Sequence, residues 1–153
     1  MTTHTGARRD VSQPTSPIHI ELEGTPQEVR RALLRLRAKV DETALAHLDA
    51  GTLEIVLGEV LNNVVEHALA KRTDGRIALT CDFANRCWRV VVRDNGAAMP
   101  DETLPRGNAP DVDIGLADLP EGGFGWSMVR MLARDIHYHR ANGWNTLSFC
   151  IES

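Results

Sequence analysis

The chain has 153 residues, 42% hydrophobic and 25% charged, with a formal net charge of −4. That length holds one ordinary domain and not two. The acidic balance argues against nucleic acid as a direct partner, because phosphate-backbone binding needs a basic surplus. No apolar run approaches the roughly 20 residues that cross a bilayer, so no membrane association is expected.

Residues 1–17, MTTHTGARRDVSQPTSP, have no periodicity and predict a disordered tail; they have no apolar core and are not expected to act as a signal peptide. Ile18, Ile20 and Leu22 then alternate with His19, Glu21 and Glu23, as in a half-buried strand. Thr25-Pro26 with Glu28 reads as a capped helix start, and Val29, Leu33, Leu36 and Val40 form that helix's apolar stripe. Arg30, Arg31, Arg35, Arg37 and Lys39 lie on its other side, either a solvated face or a docking surface for an acidic partner. After Asp49-Ala-Gly51 a longer helix is expected through about Lys71, burying Leu53, Val56, Leu57, Val60, Leu61, Val64 and Ala68.

Asp74-Gly75 turns into a strand with Ile77, Leu79, Cys81 and Phe83 on one face, and Asn85 marks a tight turn. The next strand puts Trp88, Val90 and Val92 on one side, and the two-residue period carries Asp94 inward with them. Residues 97–121 are rich in Pro, Gly and Asp, a length that marks a lid or a disordered segment. A helix then runs from the glycines to about Arg134, with Met128, Val129, Met131 and Leu132 inward. Strands near Ile136–Arg140 and Asn145–Ile151 follow, joined by Asn142-Gly143. His137 and His139 alternate on the first of these as surface residues. Three cysteines with no C-x-x-C spacing predict reduced, buried thiols in a cytoplasmic protein. The sum is an α+β two-layer sandwich: a mixed, mostly antiparallel sheet covered on one face by helices.

Three blocks carry chemistry. Glu59 and Asn63 are four apart and share one helix face, flanked by Asn62, Glu66 and His67. That stripe is either an ordinary solvated side or a site in which an Asn oxygen binds Mg²⁺ and a Glu accepts a proton. Asp94-Asn-Gly96 is either a β-turn or a buried carboxylate that accepts the exocyclic amine of adenine, with Gly96 admitting the base. Gly122-Gly123-Phe124-Gly125-Trp126 is either a hinge or an anion site at a helix N-terminus. It lacks the lysine of a phosphate-binding P-loop and the preceding strand of a Rossmann fingerprint.

In this order the blocks resemble the GHKL ATPase superfamily, and within it the small bacterial anti-sigma-factor serine kinases of partner-switching systems. The likeness runs from about Ile18 to Ile151. Glu59-x-x-x-Asn63-x-x-x-His67-Ala68 resembles the N box, Asp94-Asn-Gly96-Ala-Ala-Met-Pro100 the adenine box, and Leu119-Pro-Glu-Gly-Gly-Phe-Gly-Trp126 the glycine box. The resemblance implies a Bergerat-type fold over 18–153 that binds ATP with Mg²⁺, closed by a flexible lid at about 97–122. It implies Glu59 as general base, Asn63 as magnesium ligand and Asp94 as adenine anchor. Gly96 and Met99 would line the base pocket, Gly123 and Gly125 would contact the phosphates, and Asn62, Gly122, Phe124 and Trp126 would complete the nucleotide site. It further implies a protein-serine/threonine kinase that phosphorylates a small anti-anti-sigma protein and binds a sigma factor or another regulator; related kinases often pair as homodimers, while nothing in this sequence fixes the oligomer.

Two departures stand out. Pro120-Glu121 replace an arginine that some members carry before the glycine box, leaving Arg106 of the lid as a substitute cation. Gly143-Trp-Asn145 replaces the usual Gly-Thr pair near the last strand, so that Asn145 is expected to assist Asp94 through a water. The rival readings are a non-catalytic, nucleotide-gated module that sequesters its partner, and a catalytic fragment acting on a histidine domain in trans.

Overall fold

The computed structural model describes residues 16–43, 45, 50–104 and 123–153. Most of the expected tail and residues 105–122 of the expected lid, with Arg106, Pro120, Glu121 and Gly122, lie outside them. The chain order is β1 (Ile18–Glu23), α1 (Pro26–Asp41), α2 (Gly51–Asn63), a π-helical turn (Val64–Ala68), β2 (Arg76–Ala84), β3 (Cys87–Asp94), a 3₁₀ turn (Pro100–Glu102), α3 (Gly123–Leu132), β4 (Arg134–Ala141) and β5 (Trp144–Glu152). The strands form one sheet ordered β1-β2-β3-β5-β4, antiparallel at every described pairing.

Alternation decides which face is covered. Ile20 and Leu22, then Ile77, Leu79, Cys81 and Phe83, then Trp88, Val90 and Val92, and finally Leu147, Phe149 and Ile151 are buried beneath the helices. From above, Val29, Ala32, Leu36 and Val40 of α1 meet them, together with Leu53, Val56, Leu57, Val60 and Leu61 of α2 and Trp126 and Val129 of α3. The opposite face is polar: Arg89 pairs with Asp82 at 3.0 Å, and the Arg93 guanidinium lies 5.2 Å from the Trp144 ring. His137 and His139 are exposed, as the alternation predicts.

Local chemistry fixes the ends. The Thr25 hydroxyl accepts the Glu28 N–H at 3.2 Å, while the Glu28 carboxylate turns to Arg31 rather than closing a capping box. The β2–β3 turn holds both Asn85 and Arg86 at positive φ, and the β4–β5 turn does the same with Asn142 and Gly143, as two-residue hairpins require.

Several expectations need correction. The buried α1 stripe uses Ala32, with Leu33 only half-buried. Met131 is 80% exposed, because α3 turns its Trp126–Val129 side to the core and leaves Met131 opposite. The long helix does not continue in α form to Lys71. After Asn63 it widens, Leu69 N–H bonding Val64 O at 2.9 Å, so that Leu69 drops into the core beside Gly24 and Gly75.

Candidate functional site

The turn after β3 closes a cavity of about 400 Å³ between α2, the start of α3 and the β3–β5–β4 part of the sheet. Asn63, His67, Asp94, Met99, Trp126, Tyr138 and Asn145 are among its lining residues. The sequence blocks therefore converge on one space, with Asp94 at the floor and Asn63 on the helix wall.

Asp94 is 5% exposed, the inward position that strand phase predicts. Its Oδ1 accepts the Gly96 N–H at 2.9 Å and the Asn145 Nδ2–H at 2.9 Å. Its Oδ2 has no hydrogen-bond partner among the described residues. Burial pushes the Asp94 carboxyl above the usual range, against the opposing pull of the Asn145 and Gly96 donors and the Arg140 charge. A buried carboxylate with one oxygen satisfied and one unpaired at a cavity wall is an acceptor waiting for a donor.

The turn carrying Asp94 is tied down on every side. Asn95 Oδ1 accepts the Arg76 N–H at 2.8 Å, and its Nδ2 donates to Asp74 O at 3.1 Å. Arg72, ion-paired with Asp74, also donates to Asn95 O. Ala97 N–H bonds Ala68 O at 2.8 Å, which the π-helical turn aims at the loop. A Cβ on Gly96 would stand 2.4 Å from that same carbonyl oxygen. The glycine is thus demanded by the helix end behind the turn, in addition to any base in front of it.

Glu59 stands one turn before Asn63 on α2, half-buried, and its carboxylate meets the start of α3. A Cβ on Gly125 would stand 2.5 Å from Glu59 Oε2, so the missing side chain is what lets α3 approach the carboxylate. A negative group near a helix N-terminus is also electrostatically favoured. Neither Glu59 nor Asn63 makes a side-chain hydrogen bond or ion pair among the described residues. Gly123 and Phe124 open α3, and the buried Trp126 packs into the cavity wall with its Nε1 lacking a partner among the described residues.

Not every expected residue arrives. Asn62 is exposed on α2 and is not part of the cavity wall, and Gly96, Glu59 and Gly125 are not among the lining residues either, Gly96 being turned against Ala68 behind the loop. Asn145 needs no water to reach Asp94, since the two side chains bond directly. The sequence reading also missed Tyr138 and Arg140, both of which bond Asn145 Oδ1. Their phase with Ile136 on an alternating strand was readable, but not that β4 lies beside β5 at this end.

The model of the histidine kinase-like ATPase domain matches residues 22–151. The chain belongs to that family. It is 33% identical over 103 residues to the serine/threonine-protein kinase BtrW of Bordetella bronchiseptica, covering 67% of this chain and 70% of BtrW. It is 25% identical over 131 residues to the serine-protein kinase RsbW of Bacillus thuringiensis, covering 85% and 81%. In fold it is similar to the crystal structure of the RsbU and RsbW domains of a Mycobacterium tuberculosis protein, with a TM-score of 0.60 and 22% identity. That likeness covers 90% of this chain but only 32% of the solved one, and it shows the fold alone. No helix among the described residues is long and apolar enough to cross a membrane.

Proposed function

We propose that this protein is an ATP-dependent serine/threonine protein kinase of a bacterial partner switch, which phosphorylates a small anti-anti-sigma protein and binds a sigma factor or another regulator. The observation that carries the reading is that Asp94 Oδ2, at the floor of a cavity whose wall bears Asn63, has no partner among the described residues, while Glu59 stands against Gly125 one helical turn away. The names of the relatives, serine and serine/threonine protein kinases, support the reaction class.

In this reading adenine sits at the Asp94 end, its amine donating to Oδ2 in place of water. The apolar walls from Val60, Val64, Val92 and Leu147 exclude solvent from the base. Asn63 offers one amide oxygen, a hard ligand suited to Mg²⁺. Among the described residues no group of three or more His, Cys, Asp or Glu could hold a metal alone, so the ion at Asn63 depends on phosphate oxygens for the rest of its shell. Magnesium would neutralise the charge gathering on the phosphates. Backbone N–H groups at the start of α3 face the same charge.

Glu59 then takes the proton of a partner serine or threonine hydroxyl at its carboxylate, while that oxygen bonds the terminal phosphorus and ADP leaves. The test incubates the chain, radiolabelled Mg-ATP and a small anti-anti-sigma protein from the same cell. Label should appear on a partner serine or threonine and vanish with Glu59→Gln, which keeps shape and removes the base. Nucleotide binding without label on the partner or release of phosphate would overturn the kinase assignment in favour of a nucleotide-gated binding module.

A further inference from the structure

Asn145 is 4% exposed and spends its full hydrogen-bonding capacity on the protein. Its Nδ2 donates to Asp94 Oδ1 at 2.9 Å and to Ala97 O at 2.8 Å. Its Oδ1 accepts from the Tyr138 hydroxyl at 2.6 Å and from Arg140 Nη1 at 2.8 Å. A carboxamide has two donor hydrogens and two acceptor lone pairs. No atom of Asn145 is left to read a ligand.

The two donors on Oδ1 also decide which end of the amide is oxygen. A flipped amide would set nitrogen against the Arg140 guanidinium and oxygen against both the Asp94 carboxylate and the Ala97 carbonyl. Tyr138 and Arg140 reach further into the same loop. Arg140 Nη1 donates to Gly96 O at 3.0 Å, and the Tyr138 hydroxyl accepts the Met99 N–H at 3.1 Å. Two neighbouring inward positions of β4 therefore hold both the amide behind Asp94 and the backbone in front of it.

We infer that Tyr138 and Arg140 are positioning residues that set the nucleobase selectivity of the site. By fixing the Asn145 amide they commit Asp94 Oδ1 to the protein and leave Oδ2 as the one carboxylate oxygen open to a base. A base edge bearing an amine satisfies that oxygen, whereas a 6-oxo edge would bring a second oxygen against it. The inference rests on the adenine-nucleotide reading above. It adds that selectivity is governed from β4, through an amide that itself makes no contact with the base.

Calorimetric titration with ATP and with ITP in magnesium, on the full chain and on Tyr138→Phe, Arg140→Met and the double variant, tests it. The unaltered chain should prefer ATP. The double variant should lose roughly tenfold of that preference, the scale of one hydrogen bond to a charged group. Tyr138→Phe alone should lose less, because Arg140 still holds the amide, and Arg140→Lys should recover much of the preference by keeping a charged donor. A role in stability alone would weaken ATP and ITP by the same factor. An unchanged ratio in the double variant therefore overturns the inference, and, if that variant does not fold, an unchanged ratio in Tyr138→Phe does so. Equal binding of ATP and ITP by the unaltered chain also overturns it, whereas no binding of ATP overturns the underlying nucleotide reading.

Discussion

Gly96→Ala places a methyl group where the helix end already stands. The added Cβ would lie 2.4 Å from Ala68 O, 2.6 Å from Ala68 C and 2.8 Å from Ala68 Cβ. Ordinary contact begins near 3.4 Å, so the turn must retreat by about 1 Å from a backbone that cannot rotate aside. The Ala97 N–H to Ala68 O bond, 2.8 Å long, would then stretch beyond hydrogen-bonding range. Overpacking costs about 1–3 kcal/mol, and a hydrogen bond lost from a half-buried turn adds about 1 kcal/mol, giving a total near 3 kcal/mol. For a chain of this size that is a fall of about 6–12 °C in melting temperature. Thermal and urea unfolding of the two proteins at one pH would measure it. A loss under about 0.5 kcal/mol would refute the reasoning, because the turn would then have slack that the packing denies.

Gly125→Ala is the contrasting case, since the one severe contact of its Cβ among the described residues would be with the far end of the flexible Glu59 side chain, at 2.5 Å from Oε2. Stability should hold or rise by up to about 1 kcal/mol from helix propensity, while phosphotransfer falls because the carboxylate is displaced; a thermal melt beside the label assay separates the two. Asp94→Asn tests the buried charge. Because the folded carboxyl titrates above its ordinary value, the native state holds its proton more tightly than the unfolded chain, and the charge lowers stability as pH rises. The variant's stability relative to the unaltered chain should therefore grow with pH, starting near the ordinary aspartate value of about 3.9 and levelling once Asp94 has titrated. Urea midpoints of both proteins across that window would show it, and a constant or shrinking difference would contradict it.

Much of this site was legible because strand phase is rigid. Trp88, Val90 and Val92 carry Asp94 inward with no reference to the rest of the chain, and the structure buries it at 5% exposure. Helical spacing likewise put Glu59 and Asn63 on one face. What could not be read was which elements meet. Gly96 looked like a concession to a base, yet its tightest neighbour is the carbonyl of Ala68, placed there by a π-helical turn that no composition announces. Asn145 was expected to act through a water, but the β3–β5 register sets it directly opposite Asp94. Tyr138 and Arg140 matter only because β4 forms the sheet edge beside β5, a topological fact rather than a local one. Met131 misled because apolar character on a short helix does not fix the direction in which the residue points.

The central claim is that adenine nucleotide binds at Asp94, and its most direct test is calorimetric titration of the full chain with Mg-ATP, beside Asp94→Asn. The account predicts saturable binding at one site per chain, weakened by removing magnesium and lost in the folded Asp94→Asn protein. Absence of binding by the unaltered chain, or undiminished binding by the variant, would contradict it.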